Sequence, residues 1–281
     1  MIGAITGDVI GSIYEFNNIK SKDFPLFSPE CYFTDDSVMT CAVADAIMEG
    51  GTAKQFVESM KRIGRHYPNA GYGGRFFDWL FSDSVDPYNS YGNGSAMRVS
   101  PCAWLEDPQN YSGKGPTPES VRNLACTSSI VTHNHAEGIK GAQATADAIF
   151  LARYYFGGYS DEKADEAIYK QKIKDYITDV YGYDLTMKLD DIRPWYKYDI
   201  TCQGTVPQAI IAFLEATDYE DAIRNAISIG GDSDTMGAIT GGIAEAAYGV
   251  PDWIKARTRM FLSPEMNFII DKWNEYRKKD W

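Results

Sequence analysis

The sequence predicts an all-α fold in a single domain spanning residues 1–281, and three observations carry that prediction. Apolar residues recur at helical spacing through most of the chain. Alternating strand patterns are scarce, and no Asn-Gly turn joins two β-branched runs. Neither an internal repeat nor a low-complexity linker divides the sequence, and 281 residues of 44% hydrophobic content suffice for one large core.

The elements follow in order. From Gly3 to Glu15 the pattern is helical, and Gly3, Gly7 and Gly11 recur every four residues, so one face is bare backbone that another element can approach. Asp8, Ser12 and Glu15 form a polar stripe beside it; taken alone, this is a tightly packed helix with an exposed acidic edge. Thr34-Asp35-Asp36-Ser37 begins a helix through Met48. Thr52 reads as the N-cap of a helix bearing Phe56, Val57, Met60 and Ile63, with Gly64 as its stop. Thr117-Pro118-Glu119 opens the next, with Val121, Leu124, Ala125 and Ser128 on one face. Gly138 to Tyr155 is helical, Thr205-Val206-Pro207 starts a helix through Leu214, and Asp218 caps one through Ile229. Gly230-Gly231-Asp232-Ser233-Asp234-Thr235 leads into the small-residue helix Met236–Ala247. Ser263-Pro264-Glu265 begins a last helix with Met266, Ile269, Ile270, Trp273 and Tyr276 as its stripe, and Arg277, Lys278 and Lys279 complement its dipole. Connectors are expected at Asn17–Glu30, Asp83–Tyr91, Asp107–Pro116 and Gly182–Thr201. The stretch Tyr159–Thr201, rich in charge and tyrosine, carries no motif.

A net charge of −12 and a pI of about 4.7 argue against a nucleic-acid backbone or an anionic membrane as the main partner. Small anionic ligands remain compatible if cations or backbone dipoles supply the positive charge. The five cysteines, Cys31, Cys41, Cys102, Cys126 and Cys202, are odd in number and scattered without a Cys-x-x-Cys pair, which suits a reducing cytoplasm. Met1 to Phe16 has no basic lead, so no signal peptide is expected, and no uncharged apolar run is long enough to span a bilayer.

Four segments place polar groups where a plain helical core would not. Thr34-Asp35-Asp36 and Asp232-Ser233-Asp234-Thr235 echo one another at helix starts. Each alone is ordinary capping chemistry, but together they supply hard oxygen ligands suited to Mg²⁺, Mn²⁺ or Ca²⁺. If Glu15, Asp35, Asp36, Asp232 and Asp234 converge, their mutual repulsion calls for cations, and two divalent ions nearly balance it. An EF-hand is excluded because its alternating acidic loop and terminal Glu are missing. Ser90-Tyr91-Gly92-Asn93-Gly94-Ser95-Ala96-Met97-Arg98 is a glycine-bearing turn opening a helix, where free N–H groups suit phosphate, although it is no Walker loop. His133 and His135 have the wrong spacing for a helical zinc pair, so His133 is expected to donate a hydrogen bond rather than bind metal.

In this order the Gly7-Asp8, Gly11 and Glu15 helix, Thr34-Asp35-Asp36, Ser90–Arg98, Thr132-His133 and Gly231–Thr235 resemble the ADP-ribosylglycohydrolase family, which includes dinitrogenase-reductase-activating and ADP-ribosyl-arginine or -serine hydrolases. The resemblance runs from Met1 to about Gly249. It implies a compact orthogonal helical bundle with two Mg²⁺ or Mn²⁺ ions held by Thr34, Asp35, Asp36, Asp232, Asp234 and Thr235. Glu15 is then the candidate general base, with Asp36 the other catalytic carboxylate. Ser90, Gly92 and Asn93 would lie along the diphosphate and ribose, Tyr91 against the adenosine, and His133 on a phosphate. The implied reaction is hydrolysis at the anomeric carbon of ADP-ribose on an ADP-ribosylated protein or small molecule. Two other readings remain: a non-catalytic ADP-ribose-binding member, and a metal-dependent hydrolase of another nucleotide or nucleoside. No second aromatic partner for the adenine is identifiable upstream of Ser90.

Overall fold

The computed structural model describes residues 1–105, 108, 119–160 and 164–279. The described residues form α1 (Ile2–Gly11), α2 (Asp35–Met48), α3 (Ala53–Gly64), α4 (Gly74–Phe81), α5 (Gly94–Met97), α6 (Glu119–Ile130), α7 (Ala136–Phe156), α8 (Glu166–Tyr181), α9 (Leu189–Ile192), α10 (Cys202–Leu214), α11 (Tyr219–Ile229), α12 (Ser233–Tyr248), α13 (Asp252–Arg259) and α14 (Pro264–Lys279). Two 3₁₀ turns, Ser12–Tyr14 and Ser100–Trp104, complete the helical set, and the one pairing of extended backbone among these residues is a bridge between Gly92 and Thr201. The all-α prediction holds.

The glycine face of α1 sets the architecture. A Cβ on Gly7 would lie 1.9 Å from the carbonyl oxygen of Gly237, and Gly3 and Gly11 meet Gly241 and Ser233 in the same way. α1 and α12 therefore run antiparallel with their backbones in contact, which side chains on those faces would prevent. This packing carries the residues just after α1, including Glu15, to the start of α12, where Asp232 and Asp234 lie.

The expected acidic edge of α1 is corrected here. Asp8 is fully buried and accepts hydrogen bonds from the Thr34 amide (3.0 Å), the Thr34 hydroxyl (2.7 Å), the Ser37 amide (3.0 Å) and the Ser37 hydroxyl. It thereby satisfies donors at the first turn of α2, which have no partner within the helix. Burial raises its pKa to about 6 against the opposing effect of these hydrogen bonds. The α-helix itself stops at Gly11, and the 3₁₀ turn carries the chain on toward Glu15.

Other boundaries shift for local reasons. Gly64 does not stop α3 but is its last residue, and a Cβ there would press on Leu80 and Met39. α10 starts at Cys202, three residues before the expected Thr205, because Thr201 is the N-cap and its hydroxyl accepts from the Gly204 amide at 3.1 Å; Pro207 then lies inside the helix. α9 interrupts the expected Gly182–Thr201 connector, and α8 occupies much of the stretch without a motif. Thr117-Pro118 and nearly all of the Asp107–Pro116 connector lie outside the described residues.

Candidate active site

A cleft of about 350 Å³ opens where α1, α2 and α12 begin or end. Its lining includes every site residue expected from the sequence except Tyr91: Glu15, Thr34, Asp35 and Asp36 on one side, Asp232, Asp234 and Thr235 on another, then Ser90, Gly92, Asn93 and His133.

The carboxylates converge. Glu15, Asp232 and Asp234 each offer an oxygen, and the three oxygens lie within 4.8 Å of one another. Asp36 accepts from the Thr235 hydroxyl at 3.2 Å, which joins the two Asp-rich helix starts, while its Oδ1 is buried with no hydrogen-bond partner. The Thr34 hydroxyl gives its hydrogen to Asp8 and accepts from the Asp36 amide at 3.3 Å, so it caps α2 and braces Asp8 together.

Burial, then the charges of neighbouring carboxylates, raise the pKa values of Asp35, Asp36 and Asp234 well above the usual range. Asp232 is also raised by burial, against the amide of Asn93, whose Nδ2 donates to Asp232 Oδ2 at 2.7 Å. Such a cluster must hold protons or cations. An all-oxygen donor set, a buried carboxylate oxygen left unpaired and three carboxylates within one small sphere fit hard divalent ions.

Cationic and aromatic residues line the same cleft. Arg98 is buried, donating to the Ser128 carbonyl (2.8 Å) and the Thr132 hydroxyl (2.9 Å), with its Nε unpaired. Thr132 Oγ1 also lies 2.7 Å from His133 Nδ1. In the tautomer in which the Thr132 hydroxyl donates to Nδ1, the neutral ring carries its proton on Nε2. Nε2 faces Gly92 and Gly94, where Cβ atoms would come within 3.7 and 3.2 Å of it. Burial, with help from Arg98 and Arg75, lowers the His133 pKa well below its ordinary value, so the ring stays neutral. Arg75 lies over the Tyr88 ring at 5.0 Å and donates to the Tyr88 carbonyl.

One expectation for the Ser90–Arg98 loop is revised by its geometry. Its amides are not all free: Gly92 N donates to Ser90 Oγ at 3.1 Å and Asn93 N to the Ile200 carbonyl at 2.8 Å. The Tyr91 ring is 47% exposed, packs on His135 at 5.3 Å and is not among the residues lining the cleft. The aromatic rings that do line the cleft are Phe76, Tyr88 and Tyr198. Two of them lie upstream of Ser90, where the sequence offered no aromatic partner. Asp8, Arg75 and Tyr198 also escaped assignment to the site; only Asp8 had a signal, as a carboxylate on the glycine helix.

The cleft thus combines a cluster of carboxylates with Arg75, Arg98, His133 and three aromatic rings in an all-helical frame. The ADP-ribosylglycohydrolase family model matches residues 1–271, and the chain belongs to that family. It is 27% identical over 287 aligned residues to the ADP-ribosylarginine hydrolase Tri1 of Pseudomonas putida (strain GB-1), covering 91% of this chain and 72% of that protein. To the ADP-ribosylhydrolase ARH3 of Mus musculus it is 24% identical over 319 residues, covering 89% and 83%. A solved ADP-ribosylglycohydrolase-related protein complex contains a chain with the same fold, at TM-score 0.65 and 21% identity over 95% of this chain and 94% of that one. No described helix is long and apolar enough to cross a membrane.

Proposed function

We propose that this chain is a metal-dependent hydrolase that releases ADP-ribose from an ADP-ribosylated protein or small molecule by cleaving the bond at the anomeric carbon. One observation carries the reading: a single cleft joins the Glu15–Asp232–Asp234 cluster to the neutral His133 and the Phe76–Tyr88 wall. That suits a ligand with a sugar at one end and a nucleotide at the other.

Thr34, Asp35, Asp36, Asp232, Asp234 and Thr235 would hold two Mg²⁺ or Mn²⁺ ions. Bound there, the ions would neutralise the carboxylates and polarise ribose hydroxyls. Glu15 takes a proton from the attacking water as the glycosidic bond opens toward an oxocarbenium-like state; the water oxygen bonds to the anomeric carbon, and the departing nitrogen or oxygen keeps the electron pair of the broken bond and takes up a proton. Asn93 holds Asp232 by its amide and lies beside the ribose. His133 Nε2–H meets a phosphate oxygen, with Ser90, Gly92 and the positive charge of Arg75 and Arg98 around the diphosphate. The adenine lies against Phe76 and Tyr88. Asp36, with its unpaired oxygen, is the second catalytic carboxylate. The five free thiols, four of them buried, support the cytoplasmic location expected from the sequence.

The name of Tri1, an ADP-ribosylarginine hydrolase, puts arginine-linked ADP-ribose first in a test panel, with serine-linked and small-molecule conjugates beside it. ADP-ribose release from each, with Mg²⁺ or Mn²⁺, tests the proposal. Tight ADP-ribose binding without turnover of any conjugate would favour a binding protein. Release of phosphate or nucleobase from free nucleotides instead would favour another nucleotide hydrolase.

A further inference from the structure

Asn18 joins the Glu15 turn to the Asp232 turn from outside the cleft, in addition to the α1–α12 packing and the Ser233 hydroxyl, which donates to the Tyr14 carbonyl at 3.4 Å. Asn18 Oδ1 accepts from the Gly231 amide at 2.7 Å, and its Nδ2 donates to the Gly231 carbonyl at 2.9 Å, the Tyr14 carbonyl at 2.7 Å and the Glu15 carbonyl at 2.8 Å. The surroundings decide the orientation of this amide, because the reverse would aim its oxygen at three carbonyl oxygens. One carboxamide therefore grips the backbone of Glu15 on one side and that of the residue before Asp232 on the other.

The turn it grips needs an outside hold. Gly230 and Gly231 both lie in the left-handed region, at φ 73° and 78°, immediately ahead of Asp232. Glycine is at home there but is also free to leave, so neighbouring contacts must select the conformation. Lys20 adds to the hold by donating to the Ile229 carbonyl and, at 2.8 Å, to the Tyr196 carbonyl. Glu15 and the Asp232–Asp234 pair come from opposite ends of the sequence, and the spacing between their carboxylates depends on how these two turns are fixed.

We infer that Asn18 is a positioning residue of the cation centre, setting the distance between the Glu15 carboxylate and those of Asp232 and Asp234. The inference rests on the reading of Asp232 and Asp234 as cation-holding groups and extends it to Glu15, whose carboxylate oxygen lies within 4.8 Å of theirs. Partners that orient metal-holding side chains typically cost about 10- to 100-fold in metal affinity when removed. Asn18 does so through the backbone.

The test is Mn²⁺ titration of the metal-free full chain by calorimetry or electron paramagnetic resonance, on Asn18→Ala, Glu15→Gln and the double variant. Asn18→Ala is expected to weaken Mn²⁺ binding about tenfold in the native background. In the Glu15→Gln background the same change should cost less than about threefold, because the spacing it enforces no longer matters. Lys22→Ala, which breaks the nearby ion pair with Asp221, should lower the melting temperature and leave Mn²⁺ affinity within twofold. Asn18→Ala that melts early but binds Mn²⁺ within twofold of the native protein would make Asn18 a fold staple and overturn the inference. So would an equal penalty in both backgrounds. If the native protein takes up neither Mn²⁺ nor Mg²⁺, the cation reading fails first and this inference falls with it.

Discussion

Tyr198 donates its phenol hydroxyl to Glu15 Oε1 at 2.8 Å, reaching across from the segment between α9 and α10. Its ring also stacks on Phe16 at 6.2 Å. Burial raises the Glu15 pKa, as do the charges of Asp232 and Asp8, and the phenol's hydrogen bond works against them. The bond thus favours the ionised form that a base requires and limits the carboxylate's rotation. Tyr198→Phe keeps the stacked ring and removes the donor. It is expected to lower kcat about tenfold, roughly 1.4 kcal/mol, with KM within about twofold. Steady-state kinetics on the best conjugate decides it, and an unchanged kcat would make Glu15 independent of Tyr198.

Cation dependence is the second expectation. Chelation should abolish ADP-ribose release, and Mg²⁺ or Mn²⁺ should restore it and raise the melting temperature, since the ions would bind the folded protein and relieve its carboxylate repulsion. Asp36→Asn and Asp232→Asn should flatten that thermal response. Full activity in excess chelator, with no metal by elemental analysis, would remove the ions from the reaction.

The parts of this site that were legible in the sequence are those written in local pattern. Glycines every four residues announced a close helix contact, and paired Asp-Thr clusters at helix starts announced Thr34–Asp36 and Asp232–Thr235. What stayed hidden depends on how loops turn. Asn89 has φ 54°, in the left-handed region, between Tyr88 and Ser90, and nothing in the sequence tells which of Tyr88 and Tyr91 enters the cleft. Phe76 is one of several aromatic residues on the short α4, whose inward face is set by packing. Tyr198 lies on a stretch without periodicity, so its meeting with Glu15 is a product of the tertiary fold. Asp8 was visible, but its burial was not, because its partners Thr34 and Ser37 come from another helix.

The α1–α12 contact gives a stability prediction. In Gly7→Ala the added methyl would overlap the Gly237 carbonyl, and backbone cannot rotate away as a side chain can. A loss of about 1–3 kcal/mol or more is expected from such overpacking, measured by urea unfolding. Because the same contact carries Glu15 to Asp232, Mn²⁺ affinity should fall as well. Gly158→Ala, where nothing lies near the added atom, is a comparison for the strain of a positive φ alone.

His133 supplies a pH prediction with a definite sign. Its folded pKa is depressed by burial and by Arg98 and Arg75, so below its ordinary value near 6.5 the unfolded chain binds a proton that the folded chain does not. Stability then rises with pH across that window, and this contribution is lost as pH falls below about 6.5. His133→Gln should show a shallower loss of stability between pH 7 and 5 than the native protein. The ring resonances of His133 should remain those of neutral imidazole at pH 5.5; an imidazolium there would refute the assignment of Nε2–H as an uncharged donor.

The last expectation concerns which ring meets the adenine. Phe76 and Tyr88 line the cleft, whereas the Tyr91 ring packs on His135 outside it. Contacts with the adenine are distant from the breaking bond and are made equally in the ground and transition states. Uniform binding of this kind changes KM and the Kd of free ADP-ribose together and leaves kcat nearly alone. Phe76 also underlies Arg98, whose Cζ lies 5.9 Å from its ring centre, so Phe76→Leu is a better probe than Ala because it keeps most of that packing. Phe76→Leu and Tyr88→Leu should each raise Kd and KM by similar factors, about tenfold for a stacking loss near 1.4 kcal/mol. Tyr91→Ala should change either by less than about twofold. Calorimetry with ADP-ribose beside steady-state kinetics separates the cases. A large rise in Kd for Tyr91→Ala, with little change in the other two, would return the adenine to the Ser90–Arg98 loop and require Tyr91 to swing inward when ligand binds.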